Sequence, residues 1–259
     1  MPLIDPVTMS SSTITSSSTT ASSSKGQQSV AGLPSLPVHL HATAAAQTAR
    51  HVLPILLAGL LLATFPRLVA DPVSTMWTSL PAVALLQALY AALCLPMTDS
   101  GSASTKIRKP RPGDKKKGAE GLGPKPVITL LLAFLLSVLL TPLLHVAMIL
   151  FGAPLLTHAP QTLLCAAHLS LLTAFPLFYV HGVDPAAWMA LAGFKAPIDE
   201  CYGGLLGGFL GAWLGAVPIP LDWDREWQKW PVTILVGVYA GYTLGRVLGG
   251  TLLFGKTMW

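Results

Sequence analysis

Charge is scarce in this chain. Of its 259 residues, 10% are Asp, Glu, Lys or Arg, where a soluble domain carries about 25%. That excludes an ordinary water-facing surface. Asparagine is absent altogether, which excludes any N-glycosylation acceptor. There are three cysteines, Cys94, Cys165 and Cys201, and no C-x-x-C. Each lies in or beside an apolar segment, so all three read as small buried hydrophobes rather than a disulfide or metal site. No G-x-S-x-G, H-E-x-x-H, phosphate loop or dinucleotide glycine signature occurs. The opening residues do not read as a signal peptide, because no charged stretch leads into an apolar core.

What the chain does have is apolar residues, 52% of the total, gathered in long runs. Their solvent is lipid. Unbroken runs of helix length favour helices over barrel strands, which alternate every second residue. The fold class is therefore an all-α polytopic membrane protein. It has about six transmembrane helices, near His51–Ala70, Trp77–Pro96, Val127–Gly152, Gln161–Val180, Glu200–Val217 and Val232–Phe254. Residues 1–45 are rich in Ser and Thr and read as a disordered cytoplasmic tail. Residues 46–259 form the transmembrane domain.

The loop at 97–125 carries Lys106, Arg108, Lys109, Arg111, Lys115, Lys116, Lys117 and Lys125 against Asp99, Asp114 and Glu120. It thereby accounts for the whole formal charge of +5. A basic loop belongs in the cytoplasm. With six spans, both termini and the loop at 181–199 share its side, and the connections near Asp71, Thr157 and Asp222 face the lumen. Lacking interleaved aromatics, the basic run does not point to nucleic acid.

Gly203, Gly207, Gly211 and Gly215 recur at every fourth position, as do Gly237, Gly241, Gly245 and Gly249. Each glycine weakens a helix by roughly 1 kcal/mol, so eight of them need a reason. Small residues at this spacing let helix backbones approach closely in lipid. The two stripes either pack on each other through a short hairpin, or one receives a helix from another protein.

His145 and His168 fall within spans, where an ionisable group is a functional candidate. The plainer reading is a neutral histidine hydrogen-bonded between helices. Arg246 lies in the second half of the sixth helix, toward the cytoplasmic face, where it can snorkel. Asp199 and Glu200 suit the positive end of the fifth helix. Between the fifth and sixth spans stands VPIPLDWDREWQKWP. Trp223, Trp227 and Trp230 would share one face of a helix, with Asp222 as its N-cap. Residues 218–230 thus read as a lumenal interfacial cap. Asp222 and Asp224 form an Asp-x-Asp, a weaker metal signal. No metal, cofactor or catalytic residue is assigned.

The segment GAWLGAVPIPLDWDREWQKWP, from Gly211 to Pro231, resembles the signature of the Pig-F family of glycosylphosphatidylinositol-anchor biosynthesis proteins. HVAMILFGAPLL, from His145 to Leu156, resembles that family's histidine followed by a Gly-Ala-Pro-Leu turn. The likeness, to a fungal-type member, covers roughly residues 50–254. It implies a multi-pass protein of the endoplasmic reticulum membrane that stabilises large multi-pass ethanolamine-phosphate transferase subunits. On this resemblance, His145, Gly152, Pro154, Trp213, Asp222, Trp223, Asp224, Arg225, Trp227 and Trp230 are the candidates for contact with a partner or with membrane lipids.

Three functions remain open. The first is a non-catalytic membrane subunit. The second is a lipid-handling protein presenting phosphatidylethanolamine or the glycolipid intermediate to the transferase. The third, ranked last, is a metal-dependent transferase using Asp222 and Asp224.

Overall fold

A computed structural model describes residues 37–97, 124–221 and 223–258. Most of the tail and of the basic loop, as well as Asp222, lie outside those residues.

Helix α1 (Ala44–Ala70) starts where Thr43 accepts the Ala46 N–H at 3.2 Å. Its first turns, AAAQTAR, are good helix formers behind a threonine cap, so the helix begins well before His51. Asp71 alone separates α1 from α2 (Pro72–Cys94). Its backbone N–H donates to the Arg67 carbonyl at 2.8 Å, its carboxylate accepts from Ser74 N–H at 3.3 Å, and Pro72 supplies a preformed first turn. That is how so short a connection reverses the chain.

Helix α3 (Pro124–Leu150) ends in a Schellman motif. Gly152 sits at φ +103°, its N–H reaches the Ile149 carbonyl, and Ala153 N–H reaches that of Met148, both at 2.9 Å. A glycine is needed there because L side chains disfavour that φ, and Pro154 prevents the helix from resuming. Helix α4 (Ala159–His181) contains a π turn over Ser170–Ala174, with Phe175 between it and Pro176. The proline has no N–H and crowds the carbonyl four residues back, that of Leu172. Gln87 of α2 reaches that carbonyl through Nε2 at a long 3.5 Å.

The stretch expected as a loop at 181–199 holds a short helix, α5 (Pro185–Ala192), capped by Asp184. Helix α6 (Glu200–Ala216) is capped by Asp199, whose Oδ1 accepts from the N–H groups of Cys201 and Tyr202. Helix α7 (Val232–Gly249) stops at Gly250, short of the expected Phe254. The chain there turns back, and Gly255 and Ile198 pair through Gly255 N–H to the Ile198 carbonyl, while Ile198 N–H donates to Lys256, both at 2.8 Å.

Helices α1, α2, α3, α4 and α7 are each long and apolar enough to cross a membrane. At 17 residues, α6 is about 26 Å long, the lower end of what a span requires. Helix α4 is the central one: 78% of its apolar window is buried, against 11% for α3. The outward faces of α1 and α3, with Leu62, Leu131 and Leu143, expose side chains suited to lipid. Cys94, Cys165 and Cys201 are free and buried.

Candidate functional site

Helices α6 and α7 meet along a seam of backbone. A Cβ placed on Gly203 would strike the Gly245 carbonyl oxygen. One on Gly207 would strike that of Gly241, and one on Gly211 that of Gly237. The reverse collisions hold for Gly237, Gly241 and Gly245, while Gly249 would meet the Asp199 carbonyl and Gly215 that of Thr233. Both stripes are thus spent on each other. Apolar side chains gain little by meeting in lipid, whereas backbones this close gain dispersion contact along their whole length.

One side of the seam leaves a groove of about 580 Å³. Its floor is glycine backbone, and its walls include Leu210, Leu214, Ala240, Leu244, Leu248 and, from α1, Phe65. Pro218 and Trp227 border it at the connection between α6 and α7.

That connection is not the interfacial helix its tryptophan spacing suggested. It has a single 3-10 turn, Glu226–Gln228, and Asp224 sits at φ +48°. The reason is Gln228. Its Nε2 donates to the carbonyls of Pro218 (2.8 Å) and Leu221 (2.6 Å), and its Oε1 accepts from Arg225 N–H at 3.0 Å. One side chain thereby satisfies three backbone groups that a helix would have paired within itself, and Pro218, Pro220 and Pro231 limit helix formation on either side.

The tryptophans consequently part. Trp223 packs against Trp227, with ring centroids 5.8 Å apart, and Trp230 donates through Nε1 to Thr162 Oγ1 of α4 at 3.0 Å. Glu226 and Lys229 form an exposed ion pair. Asp224, Arg225 and Lys229 line a polar pocket with Ile219, Pro220, Leu221 and Gln228.

The other expected contact residues lie elsewhere. His145 on α3 is half-buried, and its Nδ1 has no hydrogen-bond partner among the described residues. Gly152 and Pro154 form the turn after α3, and no hydrogen bond among the described residues joins this group to the loop at 218–231. Trp213 is exposed on α6. His168 of α4 is fully buried; its Nδ1 donates to the Leu164 carbonyl at 2.9 Å, and its Nε2 lies 3.2 Å from Ser79 Oγ of α2. Among the described residues, no three His, Cys, Asp or Glu side chains gather where they could hold a metal ion.

At the opposite end of the bundle is a charge cluster that the sequence reading missed. Glu200 turns inward instead of merely facing the α6 dipole. Its Oε1 accepts from Arg246 Nε at 2.6 Å and from Tyr90 OH at 3.2 Å, and its Oε2 lies 2.8 Å from Arg50 Nε. Arg246 does not snorkel. Only 2% of it is exposed, and its guanidinium lies over the Tyr90 ring at 3.7 Å. Arg50 also donates to the Gly250 carbonyl at 2.7 Å. The cluster joins α1, α2, α6 and α7. Two opposite charges near one end of paired, glycine-striped helices were the available signal. Beside it, burial pushes the Asp199 carboxyl above the ordinary aspartate value, opposed by N–H donation from Tyr202, Val38 and Cys201.

Residues 52–250 match the GPI biosynthesis protein family Pig-F. The chain belongs to that family. The matched span runs from within α1 to Gly250, just past α7, so the glycine seam, the groove, Gln228 and the Glu200 cluster all fall inside it, with Arg50 just before it. A Neurospora crassa protein named glycosylphosphatidylinositol anchor biosynthesis protein 11 is 58% identical, over 99% of each chain. A Pyricularia oryzae protein of the same name is 49% identical, over 98% of this chain and 96% of its own. A human protein named GPI ethanolamine phosphate transferase, stabilizing subunit, is 39% identical over 40% of this chain and 49% of its own. No solved structure matches.

Proposed function

We propose that this Pig-F chain is a non-catalytic membrane subunit that stabilises large multi-pass ethanolamine-phosphate transferase subunits during glycosylphosphatidylinositol-anchor synthesis. Its place is the endoplasmic reticulum membrane, with both termini and the basic loop cytoplasmic. The observation that carries this reading is the likeness to a human relative named as the transferase's stabilizing subunit. Exposed apolar faces, such as those of α1 and α3, offer surface to a membrane partner.

Depletion of the chain tests the proposal. Transferase protein should fall while its transcript holds steady, and mild-detergent purification of the tagged chain should recover the transferase. Unchanged transferase abundance, with the chain purifying alone, would overturn it.

A further inference from the structure

We propose that the α6–α7 groove and the polar pocket beside it together bind one membrane phospholipid. An acyl chain lies in the groove, and a zwitterionic headgroup of phosphate and ammonium lies against Asp224, Arg225 and Lys229. This inference stands independently of the subunit reading.

Two observations converge on it. The groove is apolar along its length, and its floor is bare backbone already hydrogen-bonded within α6 and α7, so it suits hydrocarbon. The pocket adjoins it through consecutive residues on both sides of the connection: Pro218 lines the groove and Ile219 the pocket, Trp227 the groove and Gln228 the pocket. Arg225, Asp224 and Lys229, the last also paired with Glu226, offer both signs of charge at that mouth to a phosphate carrying an amine.

A transmembrane helix fits less well. It is about 10 Å across, and the glycines that would let its backbone approach are occupied by each other. It also leaves the mixed charges unexplained.

The test uses the full chain in phosphatidylcholine nanodiscs doped with phosphatidylethanolamine bearing a diazirine at mid-chain. After photolysis, adducts should concentrate on Leu210, Leu214, Leu244 and Leu248. Ala240→Phe, which fills the groove, should lower their yield about tenfold. So should Arg225→Ala with Lys229→Ala, exposed changes that leave the bundle intact. A diacylglycerol probe lacking phosphate should label no better than that double variant. Equal labelling of Leu131 and Leu143 on α3 would mean annular lipid only and would overturn the site. So would photolysis in native membranes that joins the groove residues to another protein instead. Transferase recovery is read separately, so either proposal can fail alone.

Discussion

Gly211 and Gly237 stand so close that a methyl group on either would collide with the other's carbonyl oxygen. Gly211→Ala and Gly237→Ala should each destabilise the protein by about 1–3 kcal/mol, the usual range for overpacking. Gly59→Ala, with open space around its Cβ position, should be neutral or stabilising by up to about 1 kcal/mol. Thermal unfolding in detergent compares the three, and equal shifts would contradict the seam. Leucine at Gly211 or Gly241 breaks this internal seam first, so loss of a partner in such a variant reports folding and not a docking surface.

Removing Glu200 leaves two arginines without a counter-charge, one of them buried. Glu200→Ala should cost about 3–5 kcal/mol. Combining it with Arg246→Met should cost less than the two single changes summed, because the stranded charge is then gone. A double-mutant cycle on unfolding midpoints measures this, and strict additivity would argue against the pairing.

Gln228→Ala should release the connection between α6 and α7. Its three bonds to backbone are worth about 1 kcal/mol each, and they hold Trp227 against Trp223. Tryptophan emission should shift and protease cutting at residues 219–229 should rise, with little change in the unfolding of the bundle. An unaltered emission spectrum would show that the loop does not depend on this side chain.

Asp224 lies exposed on that loop, with Arg225 and Lys229 as its pocket neighbours. The double change Asp222→Asn, Asp224→Asn should preserve the amount of glycosylphosphatidylinositol-anchored protein at the surface of depleted cells. Loss of anchoring with normal transferase abundance and undiminished lipid photolabelling of the groove would revive a metal-dependent reaction.

The sequence alone determined that this chain lives in lipid as a set of helices, because apolar runs near 20 residues long are decided by hydration alone. It also marked Gly203–Gly215 and Gly237–Gly249 as contact stripes, since a period of four places them on one slowly drifting face. The stripes' mutual register, however, is a relation between two helices and could be set only by packing. The loop at 218–231 departs from its sequence pattern for the same reason. Tryptophan spacing describes a face only if a helix exists, and the Gln228 amide reaching Pro218 and Leu221 removed it. Along its own helix, Glu200 suits the dipole and Arg246 suits a snorkelling cation. They are 46 residues apart in the chain. Only the antiparallel pairing of α6 and α7, with Arg50 and Tyr90 closing from α1 and α2, made them one buried cluster, because a charge in a low-dielectric interior takes whatever counter-charge the fold brings within reach.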